Sequence, residues 1–239
     1  MIIRNLPARR GNNYYKEITV LGFKQLPEEI IDSKLFQAAL THRSASKDNN
    51  ERLEFLGDAV LGLVIANVLY ERFPDCDEGD LSRLRAHLVC KKALANLAKE
   101  ANLSAHLKLG TGEKKSGGHY RASILADSLE AVFGALYLLK GFKFTADFIK
   151  SIYDGALNDL PDVNELKDPK TRLQEYLQSR QLDVPSYKVL SESGDGNNKR
   201  FVVECTVNSL NIHSSGDGKS KKKAEQMAAK NVLNSLLAK

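Results

Sequence analysis

Tryptophan is absent from the chain, and cysteine is confined to Cys76, Cys90 and Cys205. Their odd number, wide spacing and lack of any CxxC pair exclude a disulfide framework and a zinc site, which need paired or clustered thiols. Three reduced thiols in a cytoplasmic protein are expected. Long apolar runs are also missing. The longest extends from Ala59 to Tyr70 and contains Asn67, short of the roughly 20 residues a spanning helix needs. It reads as a buried helix, and no membrane partner is expected. Met1 to Arg10 has arginines but no apolar run behind them, so no secretory signal is visible. Nor is the charge one-sided: 35 Lys+Arg against 30 Asp+Glu give a net charge of +5. That excess is too small to indicate nucleic acid by itself, and the placement of the charges has to decide.

What is present is a foldable chain of 239 residues, 42% hydrophobic, long enough for two domains. Residues 1–17 form a polar arm, with Asn12, Asn13, Arg9 and Arg10, expected to be flexible. Residues 18–157 are expected to be all-α, because apolar residues recur at three- and four-residue spacing. The helices are placed at Glu28–Leu40, Glu51–Arg72, Asp80–Val89, Lys91–Ala101, Ser123–Lys140 and Thr145–Leu157, with Pro74 and Gly141 as stops. The polar stretch 158–167 is read as a linker. Residues 168–239 then change pattern. Asp168-Pro169 starts a helix to about Arg180, since Asp caps free amides and Pro lacks the donor. Phe201 to Val207 alternate as a half-buried strand, with neighbours at Ser186–Glu192 and Leu210–Ser214. A last helix runs from Lys219 or Ser220 to Leu237. The order α-β-β-β-α defines a small α+β module after a helical domain.

Acids inside the apolar helices carry the first chemical signal. Glu54 and Asp58 are four residues apart, so they stack on one helix face roughly 6 Å from each other. Asp127 and Glu130 repeat the arrangement three residues apart. One such pair alone is as well explained by a solvated polar face. Two pairs among core-type residues favour a compensating cation, because burying acids is costly without one. Converging oxygen ligands suit magnesium or manganese. Gly57, with no side chain beside Asp58, permits a close helix or backbone approach. These residues imply a carboxylate-bound divalent metal site and do not name a substrate.

The second signal is the lysine cluster in Gly216-Asp-Gly-Lys-Ser-Lys-Lys-Lys-Ala-Glu-Gln-Met-Ala-Ala229. Lys219 and Lys221 to Lys223 crowd the first turn of a helix, where the dipole is positive and cations are unfavourable. An anionic partner such as phosphate explains that placement. Leu160 to Lys239 hold thirteen basic and ten acidic residues, so the basicity is a local patch. No aromatics interleave with it as on single-strand platforms, and duplex backbone recognition fits better.

These residues also carry a family likeness. Asn50-Glu-Arg-Leu-Glu-Phe-Leu-Gly-Asp58 resembles the signature of ribonuclease III, and Thr41-His-Arg-Ser44, Asp77 to Ala86 and Ser123 to Asp127 resemble its other blocks. Asp168 to Leu177 and Gly216 to Ala229 resemble the two ends of a double-stranded-RNA-binding domain. The resemblance covers Ile18 to Lys239 and implies a homodimeric endonuclease, dimerising through the helical domain and cutting double-stranded RNA. It needs Mg2+, for which Mn2+ can substitute, and no nucleotide cofactor. The implied products are 5′-phosphate and 3′-hydroxyl ends with short 3′ overhangs, in rRNA and mRNA processing. By the same resemblance Glu54, Asp127 and Glu130 bind metal, Asp58 and Glu130 are essential to cleavage, and Glu51 and Glu78 are accessory acids. Thr171, Gln174 and Glu175 face a minor groove, and Lys221 and Lys222 straddle phosphates of the major groove. His42 and Asn49 are assigned structural roles. Asn197 stands where the family usually has His, which puts one minor-groove contact in doubt. Two rival readings are a non-catalytic duplex-RNA-binding regulator and a metal-dependent phosphohydrolase of small molecules. Retention of the four acids opposes the first, and the second domain opposes the other.

Overall fold

Every helix start in the chain needs partners for its free amides, and short polar side chains supply them at several points. The computed structural model describes residues 26–238; the expected arm, 1–17, lies outside them. The chain divides into two units between Leu160 and Pro161.

In the first unit, α1 (Glu28–Ile31) and α2 (Lys34–Ala39) replace the single helix expected over Glu28–Leu40. Ser33 breaks it: its backbone is extended, and its hydroxyl accepts from the Phe36 amide at 3.2 Å while donating to the Ile30 carbonyl at 2.7 Å. A short hydroxyl side chain competing for backbone groups is the physical cause. There follow α3 (Glu51–Arg72), α4 (Glu78–Leu88), α5 (Lys91–Glu100), α6 (Thr111–Lys115) and α7 (Ala122–Asn158). α4 begins two residues before its expected start, because the Asp77 carboxylate accepts from the Asp80 amide at 2.7 Å. α7 joins the two helices expected around Gly141, where φ is +76° and the axis kinks. Only glycine adopts that conformation without strain.

The core of this unit is the pairing of α3 with α7. Leu53, Gly57, Val60, Leu61, Val64 and Leu69 of α3 are buried, as are Leu125, Leu129, Val132, Phe133 and Leu136 of α7. Both helices are long and apolar enough to cross a membrane by length and composition, which the expectation drawn from Ala59–Tyr70 alone did not foresee. Burial takes up 61% of the apolar window of α7 but only 39% of that of α3. At the crossing the backbones nearly touch. A Cβ on Gly57 would collide with the Glu130 carbonyl oxygen, and one on Gly134 with the Leu53 carbonyl oxygen. Buried Asn50 donates to the Ser128 hydroxyl at 3.3 Å and ties the start of α3 to α7.

The second unit has α8 (Val163–Leu166), α9 (Pro169–Gln178), β1 (Ser186–Ser193), β2 (Arg200–Val207), β3 (Ile212–Gly218) and α10 (Lys221–Leu237). α8 thus falls inside the stretch read as a linker. The three strands form an antiparallel sheet in the order β1-β2-β3, and α9 and α10 close one face over Leu173, Leu177, Cys205, Val207, Ala228, Ala229 and Val232. An all-α domain followed by an α-β-β-β-α module is therefore the fold. β3 runs farther than expected, to Gly218, pairing Val203 with Gly216 and Phe201 with Gly218. Side chains at 216 and 218 would strike the backbone of α10 at Ala228 and Ala224. These two glycines let helix and strand pack directly. Cys76, Cys90 and Cys205 are all free thiols.

Candidate functional site

The close approach of α3 and α7 sets the geometry of the acids. Glu54 lies one turn before Asp58 on α3, and Asp127 and Glu130 lie a turn apart on the facing part of α7. Carboxylate oxygens of Glu54, Asp127 and Glu130 all come within 4.8 Å of one another, and each side chain is half-buried. Asp58 is exposed and outside that trio. Its charge nevertheless reaches Glu130: after burial itself, Asp58 is the largest influence on that carboxyl, followed by Asp127 and Glu54. Together they push Glu130 up to about 7. Burial, then Asp127, likewise raises Glu54. A cluster of half-buried acids that resist ionisation has negative charge in excess of its cations. Hard oxygen donors in that state fit a small divalent cation such as Mg2+ or Mn2+.

Beside the trio opens a polar cleft of about 720 Å³, lined by Arg43, Glu51, Glu54, Glu113, Arg121 and Asp127 among others. Glu51 pairs there with Arg43 at 3.2 Å. Glu78 is on the exposed surface of α4, accepting from Ser82 at 2.9 Å, and is neither in the trio nor in the cleft lining. The sequence reading missed Glu113 and Arg121, an ion pair at 2.6 Å. Nothing in their spacing links them to Glu54; they arrive through a loop that folds back on residues 41–44. Thr41 bridges Lys108, and Ser44 accepts from the Gly110 amide at 2.9 Å. His42 bonds Ser44 at 2.8 Å, and Asn49 accepts from the Glu51 amide at 3.0 Å, so both have local structural partners.

In the second unit, Asp168 accepts from the Lys170 and Thr171 amides at 3.1 and 3.2 Å and starts α9. It also takes the Thr171 hydroxyl at 2.8 Å and the Gln226 amide of α10 at 2.7 Å. Partial burial works against its ionisation, but the bonds from Gln226 and Thr171 outweigh it and hold the carboxyl below its ordinary value. Lys170 and Glu225 add an ion pair at 2.8 Å between the same two helices. This clasp sets the start of α9 against the first turns of α10. Gln174, Glu175, Lys221 and Lys222 are exposed, whereas Thr171 is half-buried. Glu175 is engaged by Lys167 at 2.7 Å. The Ser220 hydroxyl accepts from the Lys223 amide at 3.3 Å, so α10 starts with its lysines outward. The side chain of Asn197 lies outside the described residues.

Comparison with known proteins places these features in context. Residues 32–155 match the Ribonuclease-III-like family and residues 169–236 the double-stranded RNA binding motif. The chain is 51% identical over 215 residues to Ribonuclease 3 of Dechloromonas aromatica, covering 90% of this chain and 97% of that one. With Ribonuclease 3 of Nitrosococcus oceani it shares 50% over 217 residues, covering 90% and 93%. Among solved structures, a nuclease domain of ribonuclease III from Campylobacter jejuni aligns with a TM-score of 0.50 and 43% identity. That alignment covers 53% of this chain and 93% of the domain, whose study concerns flexibility in a region involved in dimer formation. A Ribonuclease-III-like match over the helical unit, a double-stranded RNA binding motif over the second, and relatives half identical over nine-tenths of the chain agree, and this chain belongs to the ribonuclease III family of endoribonucleases acting on double-stranded RNA.

Proposed function

We propose that the chain is a Mg2+-dependent, homodimeric ribonuclease III that leaves 5′-phosphate and 3′-hydroxyl ends with short 3′ overhangs, in processing of rRNA and mRNA precursors. The observation that carries the metal reading is the convergence of Glu54, Asp127 and Glu130 within 4.8 Å. These three would hold the ion, with Mn2+ able to replace Mg2+, and the bound ion would supply acidified water and charge stabilisation at the leaving oxygen. Asp58, exposed and acting on Glu130 through its charge, would be the second acid essential to cleavage. Glu51 would be an accessory acid on the cleft wall, while Glu78 would act only where substrate or a second subunit reaches α4.

Dimerisation is supported by an exposed apolar stripe on α3: Phe55 is 81% exposed, Leu63 59% and Tyr70 73%. Residues 55, 59, 63, 66 and 70 share one side of a helix, opposite the face packed on α7. An apolar stripe of that kind on a folded surface marks an interface. In the second unit Thr171, Gln174 and Glu175 would meet a minor groove and Lys221 and Lys222 the phosphates, reading A-form shape over about 16 base pairs. Three free thiols fit a reducing, cytoplasmic compartment.

The test uses a long RNA duplex with wild type and Glu130→Gln, in Mg2+ and in EDTA. Cutting by wild type in Mg2+ alone, with the variant binding duplex and failing to cut, is the expected result. Substantial Mg2+-dependent cutting by the variant would overturn the assignment of Glu130.

A further inference from the structure

Among the described residues, one cation reaches the acidic trio. Lys91, the first residue of α5, places its ammonium 3.5 Å from Asp127 Oδ1, an ion pair across 36 residues of sequence. Its charge also bears on Glu54 and Glu130, opposing the rise in both. Two features make this lysine an unusual occupant of its position. It sits in the first turn of a helix, the end where a cation is disfavoured by the dipole, and Cys90 gives that helix end no side-chain cap. Its side chain is also 72% exposed, so water and a flexible four-carbon stem let it leave at little cost. The gain that holds it is attraction to the carboxylates.

We propose that Lys91 is a displaceable counter-ion of the metal site: its ammonium occupies the field of Asp127 in the metal-free protein and competes with the divalent cation for it. This rests on the reading of Glu54, Asp127 and Glu130 as metal ligands. Lys91 is a positioning residue in this scheme, acting on the cation only through the carboxylates. The consequence is a site tuned to bind metal more weakly than its carboxylates alone would. A phosphate-bearing substrate that draws the ammonium away would relieve the competition, so metal and substrate would each favour the other's binding.

The experiment titrates Mn2+ alone into full-length, RNA-free protein and reads bound metal by calorimetry or by loss of the free-ion paramagnetic signal. Four proteins are compared: wild type, Lys91→Met, Lys91→Arg and Lys92→Met. Lys92 carries the same charge one residue on, turned about 100° around the helix, and controls for net charge. An exposed ion pair is worth at most about a fivefold change in an equilibrium, so Lys91→Met should tighten Mn2+ binding by about threefold to fivefold. Lys91→Arg should restore the wild-type affinity, and Lys92→Met should leave it unchanged. A wild-type Mn2+ site whose affinity is the same in Lys91→Met overturns this proposal and leaves the metal reading intact. Equal tightening in Lys91→Met and Lys92→Met also overturns it, since net charge would then be the cause. Absence of a Mn2+ site in wild type removes the metal reading and the proposal together.

Discussion

Replacing Glu130 with Gln should stabilise the metal-free protein while removing the group proposed to be essential to its reaction. Glu130 titrates at about 7 in the fold because of burial and of Asp58, Asp127 and Glu54, against about 4.3 for an unperturbed glutamate. A raised carboxyl means the folded state holds its proton more tightly than the unfolded chain does. Below about pH 4 both states are protonated and the group is neutral in its effect. As pH rises from about 4 to about 7 the unfolded chain ionises while the folded one stays protonated, so stability falls, and above about 7 the fold carries the full cost of an unwanted charge. At about 1.36 kcal/mol per pKa unit the unscreened cost is about 3.5 kcal/mol. Glu130 is only half-buried, and solvent screening reduces that to about 1 to 2 kcal/mol. For a protein of this size such a gain corresponds to a melting point higher by about 2 to 8 °C. The assay is thermal or urea unfolding of wild type and Glu130→Gln in EDTA at pH 8 and pH 5. The variant should be the more stable at pH 8, and the gap should narrow toward pH 5. Adding Mn2+ at pH 8 should then raise wild type above its EDTA value and leave the variant nearly unmoved. A variant less stable than wild type in EDTA at pH 8 would refute the reasoning, because charge repulsion would not be what the site holds back.

Gly57→Ala should destabilise the first unit by about 1 to 3 kcal/mol through overpacking, since the added Cβ meets the Glu130 carbonyl; denaturant titration measures it, and Mn2+ affinity should fall with it. Deleting 161–239 should leave a dimer, and adding Phe55→Asp to that form should give a monomer, both read by light scattering; a monomeric mass for the truncated protein itself would remove the α3 interface. Lys221→Ala with Lys222→Ala should weaken binding to two unrelated RNA duplexes by similar factors and flatten the slope of log affinity against log salt by up to about 1.8. An unchanged slope would make the pair plain solvated surface, and thermal stability should hold or rise because both lysines oppose the helix dipole.

What could be read from the sequence was whatever repeats locally. α3 and the first half of α7 announce themselves by apolar spacing, and the acids stand out because they interrupt it. β2 is legible from Val203, Cys205 and Val207, which alternate and are all buried. The break at Ser33 was hidden because the apolar period continues through it, and only the hydroxyl's two bonds show the competition. Residues 102–121 gave no signal: their short helices, at Leu103–His106, Thr111–Lys115 and Gly118–Tyr120, are below the length at which periodicity speaks. They are set in part by pairing with residues 40–44. Glu113 and Arg121 entered the neighbourhood of the acids for the same reason, and Lys91 because its helix, though legible, is brought to Asp127 only by the fold. A contact between an isolated charge and a helix 36 residues away leaves no pattern along the chain.

Gly57 and Gly134 make the distance between the two acid-bearing helices a matter of main chain against main chain. Side chains in a packed interior can exchange volume with their neighbours, so most interhelical spacings drift as sequences change. A spacing with no side chain in it has no such freedom. The acids can therefore keep their relative positions while the surrounding aliphatic residues are substituted, and the reacting groups inherit a tolerance that comes from what those two positions leave out. An engineer recasting the aliphatic side chains of this domain should find positions 57 and 134 the least forgiving, since even the smallest addition there shifts the whole set of carboxylates at once.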